Sequence, residues 1–204
     1  HDWFMRKEIF EQPRAVADTL LGRWSDRGEL ILDEVRISPE ELRRINKIVI
    51  VACGSSFYAG MVAKYAIEHW TRVACEVELA SEFRYRDPII DPMTLVVTIS
   101  QSGETADTLE AARHASAQGA KVLAVCNTNG SQIPRESDAL LYTHAGPAIG
   151  VASTKAFLAQ VAANYIVGLA LAQAKGTKYP DEITEIWKEL LGNLLEKDWL
   201  APFW

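Results

Sequence analysis

Runs of one charge sign are missing from this 204-residue sequence, whose 21 Lys and Arg are scattered among 27 Asp and Glu for a net charge of −6. Without a concentrated basic face, a nucleic-acid partner is not expected. A small anion is a different matter, because local dipoles can hold one in an acidic protein. Cysteine is scarce and odd in number, with Cys53, Cys75 and Cys126 far apart. Neither a disulfide framework nor metal-ligand spacing emerges, so the reading is of a reducing, cytoplasmic protein with no metal and no cofactor. No basic-then-apolar signal segment opens the chain, and polar residues interrupt the longest apolar stretches, so no membrane partner is expected. Internal repeats and low-complexity tracts are absent. So are a Walker-type loop and a Gly-x-Gly-x-x-Gly motif after any strand, which weighs against a nucleotide site.

What is present is a globular composition, 49% apolar and 24% charged, with a regular alternation of elements. Residues 5–21 read as a helix with Ile9, Val16 and Leu20 on one side and Pro13 as a break or restart. Ser38-Pro39-Glu40-Glu41 is a helix start. Buried strands are expected at 47–52, 95–99, 121–125 and 139–143, and an edge strand at 73–79, where apolar and acidic residues alternate. Helices are expected over 57–71 (with Tyr65 and Trp70 available for packing), 80–86, 105–118 and 152–173. A strongly amphipathic helix over about 180–196 follows, and the chain ends in aromatics. This order predicts a three-layer α/β fold: a flavodoxin-like, five-stranded parallel sheet with helices on both faces. One domain spans 1–204, with a helical lead-in (about 1–46), a sheet core (about 47–180) and the amphipathic helix plus tail (about 181–204).

In such sheets ligands bind beyond the carboxyl ends of the strands. Those ends are unusually polar here. Cys53-Gly54-Ser55-Ser56 follows the first buried strand, Ser100-Gln101-Ser102-Gly103-Glu104-Thr105 the next, and Cys126-Asn127-Thr128-Asn129-Gly130-Ser131 the one after. Hydroxyls and amides donate hydrogen bonds to phosphate, and glycine lets the backbone approach closely. A further polar segment, Gly150-Val151-Ala152-Ser153-Thr154-Lys155, opens the long helix. Plainer readings stand beside these: Ser55 and Ser56 as turn and cap residues, Ser153 or Thr154 as a cap, Asn127–Ser131 as a loop, Glu104 as an acid in a helix's first turn. Capping would need only one of the four side chains Ser100, Gln101, Ser102 and Thr105, so that run points furthest toward an anion site.

These segments, with Lys7-Glu8-Ile9, Glu11-Gln12-Pro13 and Glu78–Tyr85, run in order from about residue 5 to 180. Together they resemble the first sugar-isomerase (SIS) domain of the glutamine–fructose-6-phosphate aminotransferase family, the glucosamine-6-phosphate synthases. The resemblance implies that Ser100, Gln101, Ser102 and Thr105 bind a sugar phosphate. It sets Gly54, Ser55 and Ser56 beside phosphate and sugar, Cys53 at the edge, and Val151, Ala152 and Ser153 against the sugar hydroxyls. Ser55 stands where threonine is commoner, and the hydroxyl survives. The implied ligand is a hexose 6-phosphate, fructose 6-phosphate or glucosamine 6-phosphate, and the implied assembly leaves room for a homodimer. The family's glutaminase domain has no matching positions here, nor do the lysine, glutamate and histidine of its later parts. No catalytic residue is therefore expected, and full turnover by this chain alone is not. Beyond about residue 182 the likeness fades. A regulatory sugar-phosphate sensor remains a rival reading, and so does a structural or engineered assembly module built on the amphipathic helix.

Overall fold

The computed structural model describes residues 3–25, 27–150 and 153–195, with side chains through residue 192. Val151, Ala152 and the aromatic tail fall outside the described residues. The lead-in is two helices, α1 (Phe4–Phe10) and α2 (Gln12–Leu20), separated at Glu11. Pro13 lies in the first turn of α2, where its missing N–H is no loss, so it restarts the helix rather than breaking it. Then come β1 (Glu34–Val35), α3 (Pro39–Arg44), β2 (Lys47–Ala52), α4 (Gly54–Thr71), β3 (Ala74–Leu79), α5 (Ala80–Phe83), β4 (Thr94–Ser100) and α6 (Ala106–Ala117). The order closes with β5 (Lys121–Cys126), α7 (Gln132–Glu136), β6 (Ala139–Tyr142), α8 (Lys155–Lys175) and α9 (Pro180–Leu195).

The sheet order is β1-β6-β5-β4-β2-β3. Five strands are parallel, as expected, and β3 is at the edge. The sixth, β1, is a correction: it pairs antiparallel with β6 through Glu34↔Leu140 and Val35↔Ala139. Both of its residues are exposed, so no hydrophobic pattern marks it in the sequence. Backbone pairing alone makes the strand, and it covers the edge that β6 would otherwise present. The short helix α7 carries no sequence signal either, because Pro134 lies inside its five residues. The long helix starts at Lys155 rather than 152.

Every residue of β4 is buried, as befits a strand covered on both faces. On one face Ile48, Ile50, Leu95, Val97 and Ile99 pack with α4, α8 and α9. On the other, Val49, Val51 and Val96 meet Phe83 and the alanines of α6. Trp70 packs edge-on against Tyr165 at 5.6 Å, whereas Tyr65 is exposed. By length and composition α8 could cross a membrane. Its apolar residues, Ala159, Ala163, Ile166, Val167 and Leu169 among them, are buried against the sheet and α4, which accounts for its character as a core helix. The apolar face of α9 is also occupied from within: Ile183 and Trp187 are buried, and Trp187 stacks on Trp24 at 6.0 Å.

Candidate functional site

Numbered among themselves, the five parallel strands run 2-1-3-4-5, so the sheet reverses direction between β2 and β4. That reversal opens a crevice at the carboxyl edge. The register sets Ala52 beside Ile99 and Ser100 beside Cys126. The polar segments after β2, β4 and β5 therefore emerge side by side, about 4.8 Å from strand to strand.

The turn after β4 braces itself. Ser100 is buried, and its Oγ accepts the Gly103 N–H at 3.0 Å and lies 3.0 Å from Thr105 Oγ1. The Oγ of Ser102 accepts the Glu104 N–H at 3.2 Å. In these contacts the hydroxyls serve mainly as acceptors. The Ser102 O–H and one of the two from Ser100 and Thr105 keep a hydrogen to donate. Gly103 turns with φ +67°, and a Cβ there would lie 2.7 Å from Cys126 Sγ. This tight seat is shared with the segment after β5: Asn127 N–H and Thr128 Oγ1 both donate to the Gln101 carbonyl, at 3.2 and 3.3 Å.

The capping alternatives do not account for the other hydroxyls. Cys53 is the N-cap of α4, Thr105 of α6 and Thr154 of α8, and none of the three helices has a side-chain cap bond. Uncapped first-turn N–H groups and the positive helix end thus remain at the mouths of β2 and β4. Gly54 begins α4 at φ +56°, which turns the chain sharply out of the strand. Ser55 is half-buried and Ser56 buried, while Cys53 is half-buried with its sulfur 3.9 Å from Thr108 Oγ1. The other thiols are structural. Burial pushes Cys75 up to about 12 and also raises Cys126.

One residue serves otherwise than the sequence suggests. Glu104 precedes α6 and instead accepts the Gln132 N–H at 2.8 Å, capping α7. Asn127 is a brace, as the loop reading has it: its Oδ1 accepts from Thr143 Oγ1 and the Ala145 N–H, and its Nδ2 donates to the Gly146 carbonyl at 2.8 Å. The hydroxyl oxygens of Ser153 and Thr154 are buried without a hydrogen-bond partner among the described residues. Val151 and Ala152, expected beside Ser153, lie outside those residues. The sequence assigns no role to Glu8, Glu11 or Lys155, and the structure gives each one. Glu8 is 3% exposed and its Oε1 accepts the Ile149 and Gly150 N–H groups, while Glu11 pairs with buried Lys155 at 2.6 Å. That Lys155 hydrogen bond, above all, holds the Glu11 carboxyl below its ordinary value. Acids in an exposed amphipathic helix give no sequence signal for contacts more than 140 positions away.

A cavity of about 630 Å³ lies elsewhere, between Leu30, Leu32, Ile37 and the end of α8. Its mainly apolar wall lies toward the amino end of β6, away from the hydroxyl-rich turns. Among the described residues no group of three or more His, Cys, Asp and Glu is arranged to hold a metal.

The SIS domain family model matches residues 41–170. Glutamine–fructose-6-phosphate aminotransferase (isomerizing) of Mycolicibacterium smegmatis is 70% identical over 190 residues, covering 93% of this chain and 30% of that protein. The chain thus spans about a third of such relatives' length. Among solved structures, the C-terminal domain of the Francisella tularensis glucosamine-fructose-6-phosphate aminotransferase superposes with a TM-score of 0.88 at 45% identity, over 95% of this chain and 55% of that one. The glucosamine-6-phosphate deaminase of Thermotoga maritima shares the fold at 17% identity and a TM-score of 0.69, over 95% of this chain and 53% of that one.

Proposed function

The chain belongs to the SIS domain family, and from that membership we propose that it binds a hexose 6-phosphate at the crevice between β2 and β4. Gln101, Ser102 and Thr105 receive the phosphate with the first-turn N–H groups of α6, and Ser100 orients Thr105 from below. Gly54, Ser55 and Ser56 flank phosphate and sugar, Cys53 borders the site, and Val151, Ala152 and Ser153 meet the sugar hydroxyls. The observation that carries this reading is the braced turn after β4, whose hydroxyls keep donor hydrogens and cap no helix.

The parent reaction is fructose 6-phosphate plus glutamine giving glucosamine 6-phosphate plus glutamate. In it this chain supplies a handle. Fixing the phosphate, remote from the reacting carbons, orients the open sugar and turns binding energy into a lower barrier. Moving the proton between neighbouring carbons requires a base and an amine, which we assign to parts of the parent protein outside these residues. The chain alone then binds without turnover. A cytoplasmic setting belongs to the same reading, in keeping with three free thiols.

Calorimetric titration with fructose 6-phosphate, glucosamine 6-phosphate and inorganic phosphate tests the proposal. Saturable binding is expected, and Ser102→Ala should weaken it by ~1.5–3 kcal/mol, the worth of a hydrogen bond to a charged group. No binding by the wild type would overturn the site. Unchanged affinity in the variant would overturn the role of Ser102.

A further inference from the structure

We propose that Glu104 is the positioning residue of the turn after β4: its carboxylate fastens the turn to α7 and aims the Ser102 hydroxyl, while its charge restrains the affinity for the anion. The inference rests on the reading of that turn as the phosphate site. An acid inside an anion-binding turn works against its ligand, so its presence calls for a compensating role. The contacts supply one. Glu104 Oε1 accepts the Gln132 N–H at 2.8 Å, and beside it the Ile133 N–H donates to the Gly103 carbonyl at 3.0 Å. Two consecutive residues of the turn are thus tied to the amino end of α7.

That helix is a firm post. Ile133 and Pro134 are buried, and Arg113 of α6 holds Glu136 through two hydrogen bonds of 2.8 Å. Ser102 Oγ accepts the Glu104 N–H at 3.2 Å, so the place of Glu104 decides where the remaining Ser102 O–H points. A carboxylate accepts an N–H about twice as strongly as a neutral oxygen does, which compensates for its repulsion of the ligand. The partner is a neutral backbone N–H, so the carboxylate keeps its charge beside the site. That charge reaches the floor of the turn. Burial chiefly, and the Glu104 carboxylate in smaller part, raise the Cys126 thiol, whose Sγ would lie 2.7 Å from a Cβ at Gly103.

The test titrates the full 204-residue chain calorimetrically with fructose 6-phosphate and with inorganic phosphate. Glu104→Gln keeps an acceptor oxygen and removes the charge, whereas Glu104→Ala removes both. Gln132→Pro deletes the N–H donor at the first position of α7, where proline is tolerated, and leaves the charge. Glu104 is exposed, so its variants leave the core untouched. At low salt Glu104→Gln should bind both ligands about threefold more tightly than wild type, and this gain should vanish in about 1 M salt, where charges are screened. A merely structural residue would show no gain on losing its charge. Glu104→Ala and Gln132→Pro should each bind both ligands about tenfold more weakly than Glu104→Gln. No gain in Glu104→Gln, a gain indifferent to salt, or either of the other variants binding as tightly as Glu104→Gln would overturn the role of Glu104. Failure of the wild type to bind either ligand would instead overturn the reading of the site itself.

Discussion

Gly103 concentrates the demands made on single residues at the carboxyl edge. Its φ of +67° lies where a side chain is strained, and the space for a Cβ is taken by Ser131 and Cys126, both buried. Ser131 cannot swing aside freely, because its hydroxyl donates to the Thr128 carbonyl at 2.7 Å. Gly103→Ala should therefore destabilise the chain by about 2–4 kcal/mol in urea unfolding, combining backbone strain with overpacking. A change under about 0.5 kcal/mol would contradict the close seat described for this turn. At this scale the sequence is informative about residue type and uninformative about direction. Hydroxyls after a strand announce an anion site or a cap, and only the contacts separate the two. Glu104 reads as a first-turn acid of α6 but faces α7. Glu8, to which the sequence assigns no role, is buried and accepts from the backbone of Ile149, more than 140 positions away.

Elements that bury a continuous apolar run are legible, because burial on both faces leaves a pattern that no loop imitates. The strands β2, β4, β5 and β6 are of this kind, and the alternation of β3 marks it correctly as an edge. Elements made by backbone pairing or by a neighbour's side chain are not, as β1 and α7 show. Local chemistry is decisive for α3. Ser38 Oγ accepts the Glu41 N–H, and the Glu41 carboxylate accepts the Ser38 N–H at 2.9 Å, a complete capping box. Ser38→Ala should lower stability by about 1 kcal/mol, measured by chemical denaturation. The Ser38 N–H, helped by Lys121, holds the Glu41 carboxyl at about 2 against an ordinary value of 4.5. Since the folded value is the lower one, the contribution of this contact is present above pH 4.5 and is lost as pH falls toward 2. An NMR titration should find the Glu41 midpoint near 2, and a midpoint at 4.5 would show the box to be open in solution.

For the whole molecule, the strand order decides where function lies. Any arrangement of these strands would place the segments after β2, β4 and β5 on one edge. Only the reversal between β2 and β4 opens a crevice there and sets Cys53–Ser56 against Ser100–Thr105. The sequence anticipates that edge through its polar strand ends, whereas the contacts of Glu8 with Ile149 and Gly150 and of Glu11 with Lys155 are a product of the tertiary fold alone. The amphipathic α9, which by sequence could have been an assembly surface, buries Ile183 and Trp187 in the chain's own core. The most direct measurement is an amide-shift titration of the isotopically labelled chain with fructose 6-phosphate. The largest saturable shifts are expected at Gly54–Ser56 and Gln101–Thr105, with Leu30, Leu32 and Tyr179 around the apolar cavity unmoved. Shifts centred on that cavity, or no saturable shifts at all, would contradict a sugar-phosphate site at the carboxyl edge of the sheet.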